Sequence, residues 1–134
     1  MPLISVTRLR LRRWWYLPSF SIQSLRSSRQ AAAAPGNLGV RLLRDRANTY
    51  WTTTCWQDEA SMKAFMHAGA HGKAMRQLLE WCDEAAVVHW SQEGTTLPTW
   101  SAAYERLRRD GRRSKVNHPS PAHTAYEFPK PVDA

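Results

Sequence analysis

Residues 37–56 read NLGVRLLRDRANTYWTTTCW, and this stretch decides the fold. Leu38, Val40 and Leu42 alternate with Gly39, Arg41 and Leu43, which is the period of a strand. Residues 49–56, TYWTTTCW, are rich in threonine and aromatic side chains, a strand composition. The four residues DRAN between them are short enough for a hairpin. Two antiparallel strands are therefore expected at the centre of the chain.

The flanks extend the pattern on both sides. Residues 3–12, LISVTRLRLR, alternate and predict a first strand ahead of the turn-like WWYLPS. Residues 19–34 predict a helix capped by Ser19 or Ser21 and stopped at Pro35-Gly36. Its Ile22, Leu25 and Arg29 stack on one side. Asp58 caps a further helix with Glu59 in its first turn. Met62, Phe65 and Met66 form the apolar stripe of that helix. Beyond Gly69 the stripe changes phase, because His71, Ala74, Met75, Leu78, Leu79 and Cys82 lie nearly opposite the first stripe. A break is expected at residues 69–72.

Residues 84–91, EAAVVHWS, predict a fourth strand, with Val87 and His89 on one face and Val88 and Trp90 on the other. Thr99 caps a last helix that runs to about Arg109. The order β-α-β-β-α-β is the split βαβ, ferredoxin-like arrangement with a four-stranded antiparallel sheet. Residues 1–110 form the expected domain, and residues 111–134 an extended basic, Pro-rich tail. Two helices cover only one face of four strands. The bulky residues on the other face call for a partner, and a homodimer with the sheets face to face is expected.

A chain of 134 residues is one domain by size, and 43% apolar with 22% charged residues is a folding composition. Cys55 and Cys82 lack any CxxC spacing, so buried small side chains in a reducing compartment, the cytoplasm, are expected. No apolar run is long enough to span a bilayer. The first 25 residues are Arg-rich, as in a transit peptide, yet their strand pattern and Trp14, Trp15 and Pro18 place them in the fold. The net charge of +8 is uneven. Residues 1–50 carry nine arginines against Asp45 alone, residues 51–105 are net acidic, and residues 106–115, RLRRDGRRSK, are strongly basic. A basic face suits nucleic acid, anionic lipid or an acidic small molecule, and its plainer reading is solvated surface. No Walker A, GxGxxG, GxSxG or HExxH pattern occurs. Strand three lacks the basic, glycine-rich pattern of RNA readers on this fold, so nucleic acid is the less favoured partner. His67 and His71 are spaced i, i+4, but no further ligand is in register, and no metal site is expected.

The aromatic WWY at 14–16, the block APGNLGVRLLRDR at 34–46, YWTTTCWQDEASMKAF at 50–65 and AGAHGKAM at 68–75 carry a resemblance. The chain resembles the dimeric α+β barrel proteins, which include the antibiotic-biosynthesis monooxygenases and the haem-degrading monooxygenases. Within that group it is most similar to spheroidene monooxygenase and its small relatives. The resemblance covers roughly residues 3–91. It implies a cleft between sheet and helices that takes a hydrophobic small molecule, with no cofactor or with haem. It implies a monooxygenase-like activity, or a module that binds a small ligand or haem without reacting it. His71 matches a histidine of the second-helix segment, and Met75 stands where haem-degrading members place the iron ligand. In an oxygenase scheme of this kind His71 is the base, Trp51 the aromatic wall and Arg41 the anion anchor, with Met75 in the cleft.

Overall fold

The structure, a computed structural model, describes residues 1–132, with the side chains of residues 69–74 outside the described set. Strand β1 (Leu3–Leu11) is followed by a 3-10 turn (Trp14–Tyr16) and helix α1 (Leu17–Ala33). The hairpin strands β2 (Asn37–Arg44) and β3 (Thr49–Trp56) come next, then helices α2 (Glu59–Met66) and α3 (Gly69–Trp81). Strand β4 (Cys82–Ser91), helix α4 (Trp100–Asp110), strand β5 (Arg112–Arg113) and helix α5 (Pro121–Ala125) complete the chain. The sheet order is β2-β3-β1-β4-β5 and every pairing is antiparallel. The ferredoxin-like α+β class expected from the sequence is the class observed, with a fifth, two-residue strand added at the β4 edge.

Local chemistry explains most boundaries. The DRAN turn closes with Ala47 and Asn48 both at φ 56°, the left-handed conformation of tight hairpins. The Asp58 carboxylate accepts the Ser61 amide at 2.8 Å, and the Thr99 hydroxyl accepts the Ala102 amide at 3.1 Å, as N-caps do. Gly36 has φ +85°, and a β-carbon there would collide with Ser61, so the turn after α1 requires glycine. Two boundaries differ from expectation. α1 begins at Leu17, because Pro18 in its first turn starts the helix without a serine cap. The helix break falls at His67–Ala68, ahead of the glycines, where the Ala68 backbone is extended (φ −104°, ψ 143°).

Alternation assigns every strand residue to one of two faces. Leu3, Ser5, Thr7, Leu9 and Leu11 face α1, α2 and α3. Ile4, Val6 and Arg8 face away, with Trp51, Cys55, Ala86 and Val88. That second face is not open. Trp100, Ala103 and Leu107 of α4 pack on it, and Tyr126 and Phe128 close its rim. This corrects one expectation and bears on another. The segment after Gly111 is packed structure rather than an extended tail, held by Tyr126, whose hydroxyl donates to the Leu107 carbonyl at 2.6 Å. And the face reserved for a second copy is covered by the chain itself. A sheet-to-sheet homodimer of the expected kind would have to displace α4 and residues 126–128.

Candidate active-site cleft

The helix side of the sheet carries two separate apolar clusters. One joins Leu3, Trp56, Ala31, Met62 and Phe65. The other joins Leu11, Phe20 and Cys82 with Leu9, Tyr50, Leu78 and Trp81 around them. Between them the sheet presents Ser5 and Thr7 of β1, Thr52 and Thr54 of β3, and Val87 and His89 of β4. In register, Ser5 stands between Thr54 and His89, and Thr7 between Thr52 and Val87. Ser5, Thr7, Thr52, Val87 and His89 are only partly buried, in the middle rows of the sheet. Hydrophobic packing therefore fails to close this layer at its centre.

Helix α1 matches this polar row. Phe20 and Ala31 anchor its sheet-facing ridge in the two clusters. At 100° per residue Gln23, Ser24 and Ser27 fall on the same ridge between them. Gln23 Oε1 and Ser27 Oγ are buried without a hydrogen-bond partner, as is Gln77 Oε1 on α3. Buried polar atoms are nearly always paired, so three orphans around one layer mark it as built for a polar contact or a ligand. Ile22 and Leu25, which stack together as the sequence suggests, point outward instead.

His89 is the titratable group at this row. Burial and the charge of Arg112 hold its pKa below the usual histidine range, with Glu59 opposing them. The imidazole is thus neutral at pH 7 and able to accept a proton. Sequence reading gave His89 no role. The alternation of VVHW separates it from Val88 and Trp90, but it does not say which face meets the helices.

Of the residues expected to share a site, Trp51 and Arg41 lie on the opposite face of the sheet from the helix that carries Met75. Trp51 is fully buried on the opposite face, and its indole N–H donates to Asp45 at 3.1 Å. Arg41 lies on that same face at the β2 edge, 5.2 Å over the Trp100 ring. Met75 sits on α3 and is 38% exposed. The backbone of His71 belongs to α3, and its side chain lies outside the described residues. So the wall and the anion anchor are separated by the sheet from the helix that carries the expected base. The hairpin register puts Arg41 and Trp51 on one face, and α4, which the sequence scheme left aside, covers that face.

The α4 side has its own polar centre. Arg8, only 2% exposed, donates to Glu84 at 2.7 Å and lies 4.4 Å from the Phe128 ring. Glu84 also accepts from Arg10 at 3.1 Å and from the Ser120 hydroxyl at 2.8 Å. Burial pushes the Glu84 carboxyl up, but its hydrogen bonds from Arg8 and Ser120 and the two guanidinium charges outweigh burial and hold it below the usual range. Asp83 next to it is pushed up, because burial there exceeds the help of Arg10. His123 accepts the Ala85 amide on Nδ1 at 3.2 Å, which requires a neutral ring. This network pins the C-terminal segment to the sheet, and every hydrogen-bonding group of Glu84 is engaged in it.

A cavity of about 290 Å³ opens between α4 and residues 126–128, lined by Tyr104, Leu107, Arg108 and Phe128 among others. Its lining also includes the Glu127 carboxylate, the Tyr104 and Tyr126 hydroxyls donate to the Phe128 and Leu107 carbonyls, and its Arg108 is paired with Glu105 at 2.9 Å. Burial pushes the Cys82 thiol up to about 12 and raises Cys55 as well, so both are unreactive thiols. Among the described residues no group of three or more His, Cys, Asp or Glu side chains is placed to hold a metal. The described residues do not fit haem either. Met75 lines neither of the hollows at α4 and at residues 113–124, and it is 38% exposed on α3.

Solved structures share this architecture. SnoaB, a cofactor-independent oxygenase from Streptomyces nogalater, matches with a TM-score of 0.55 at 19% identity, covering 70% of this chain and 95% of that one. Rv0793 from Mycobacterium tuberculosis matches with a TM-score of 0.64 at 10% identity, covering 72% and 99%. An antibiotic biosynthesis monooxygenase matches at 0.61 and 10%, covering 69% and 99%. The fold is thus that of the antibiotic-biosynthesis-monooxygenase-like proteins. By its sequence the chain belongs to the family described as domain of unknown function (DUF3291), whose model matches residues 22–134. No curated protein matches it.

Proposed function

We propose that this protein is a monooxygenase-like enzyme that takes a hydrophobic organic molecule between the sheet and helices α1 and α3. The observation that carries the reading is the partly buried polar row Ser5, Thr7, Thr52 and His89 between two apolar clusters. Apolar ends would hold the body of the substrate, and the hydroxyls and amides of the middle would orient its oxygen atoms. The kinship of fold with a cofactor-independent oxygenase supports the same reading.

His89 is the proton acceptor in this proposal. A neutral imidazole removes a proton from an activated CH₂ or a phenolic O–H, and the resulting anion is electron-rich enough to reduce O₂. Conversion of CH₂ to C=O with O₂ releases one water, so the step balances with no external reductant. General-base catalysis of this kind contributes about 10²–10⁴-fold.

The test is oxygen uptake with a panel of anthrones, hydroquinones and polyenes, with ¹⁸O₂ incorporation read by mass spectrometry. We expect turnover with one of these classes and a loss of at least about a hundredfold in kcat for His89→Ala. A His71→Ala variant measured beside it separates the two histidines. Tight binding without oxygen uptake would instead make the protein a ligand-binding module. Full activity in His89→Ala would remove that residue from the mechanism.

A further inference from the structure

Helix α1 is turned inside out. Its sheet-facing ridge is polar at the middle, while Ile22 and Leu25 on the opposite ridge are 54% and 53% exposed. Just ahead of the helix, Trp14 and Trp15 are 71% and 55% exposed and pack edge to face. Four large apolar side chains are thus exposed over residues 14–25, on α1 and the turn that leads into it, and the helix alone has 17 residues, about 25 Å of length.

The charge on this surface has one sign. No aspartate or glutamate precedes Asp45 in the chain. Arg13, Arg26 and Arg29 flank the apolar ridge and are exposed, and among the described residues none of them pairs with a carboxylate. The other basic run differs. Arg106 and Arg109 meet Asp110, Arg108 meets Glu105, and Arg113 donates to the Thr124 carbonyl. Among the described residues, arginines without a carboxylate partner also stand elsewhere, at Arg44, Arg46 and Arg112, but Arg13, Arg26 and Arg29 are the ones that lie beside the exposed tryptophans and aliphatics.

We propose that the outer face of α1, with Trp14 and Trp15, docks this protein on an anionic lipid bilayer. Tryptophan rings sit well at the headgroup level, short aliphatic side chains reach the acyl boundary, and arginines flanking them meet anionic headgroups. Charge decides against a second copy as the occupant, since two such faces would bring arginine against arginine with no acid between them. The helix lies on the membrane and does not cross it, in keeping with the lack of any described helix long and apolar enough to span. The proposal is independent of the cleft, which lies on the other side of α1.

Co-sedimentation of the full chain with vesicles tests it. Phosphatidylcholine vesicles with about one third phosphatidylglycerol should pellet the protein at low salt, and pure phosphatidylcholine should leave most of it in solution. Replacing Arg13, Arg26 and Arg29 by glutamine should lower the partition coefficient about a hundredfold, at about fivefold per arginine. Ile22→Ser with Leu25→Ser, or Trp14→Ala with Trp15→Ala, should lower it at least about tenfold. All these side chains are exposed, and far-UV circular dichroism would confirm that each variant folds. Equal pelleting with neutral vesicles, no pelleting with anionic ones, or variants that pellet like the parent would each overturn the proposal. A dimer in light scattering that the Ile22→Ser, Leu25→Ser variant loses would overturn it too, by making a second copy the occupant.

Discussion

The two faces of this sheet are covered in opposite ways. On the α4 side, Ile4, Val6, Trp51, Cys55, Ala86 and Val88 join one continuous cluster with Trp100, Ala103 and Leu107. A charged residue, Arg8, is buried at its edge, and its partners are supplied by Glu84 and by the Phe128 ring. On the helix side no charge is buried at the centre, yet hydroxyls and amides interrupt the packing, and Gln23, Ser27 and Gln77 each leave an oxygen unpaired. Apolar content alone therefore does not decide which side is closed. On the side with the buried ion pair both carboxylate oxygens of Glu84 are answered, although Arg8 Nε and Thr53 Oγ1 are not. The side with the milder polar groups is the one where the proposed substrate site lies.

Breaking the ion-paired face should have the largest effect. Glu84→Ala leaves Arg8 buried without its carboxylate, a change that costs about 3–5 kcal/mol in comparable sites. Urea unfolding would measure it, and proteolysis of residues 111–132 should quicken as Ser120 and Phe128 lose their anchor. A change under about 1 kcal/mol would mean that the network is ornamental to the fold. Ser27→Ala on the helix side should do the reverse and raise stability by about 1 kcal/mol, since it deletes a buried hydroxyl that has no partner. Opposite signs from the two sides would establish the contrast, and a destabilised Ser27→Ala would erase it.

The smallest expected effect is on pH. An unfolded histidine takes up a proton near about pH 6.5. His123 resists in the folded state, because burial and then the Arg113 charge lower its pKa. The folded chain thus binds fewer protons, and stability should fall as pH drops from 7 through that value toward the lowered one. His123→Gln should flatten the thermal-melt profile between pH 7 and 5. The contribution of Glu84 is a separate one. Its pKa is lowered on folding, so its stabilisation is present above the ordinary glutamate range and is lost only on further acidification, as pH falls through the lowered value.

Much of this architecture is legible in the chain. The hairpin at 37–56, the caps at Asp58 and Thr99 and the Pro35-Gly36 stop all depend on neighbours a few residues away. The candidate site was far less legible. Trp51 and Arg41 share a face as alternation requires, but nothing local says that α4 would take that face and leave α3 on the other. His89 was visible only as a polar residue in an apolar strand. Ile22 and Leu25 stack as the helical period demands, and the period is silent on whether the stack points in or out.

By itself, then, the sequence determined what near neighbours along the chain decide: strands and helices, their order, most of their ends, and the side chains that share a face. The tertiary structure decided which face α4 covers, which face meets α1, α2 and α3, and which way α1 is rolled. Those outcomes rest on contacts between distant segments. Glu84 finds Arg8 across 76 positions, and the Asp45 carboxylate accepts the Val132 amide across 87. Such pairs form only after the sheet has assembled, so no window of sequence contains them.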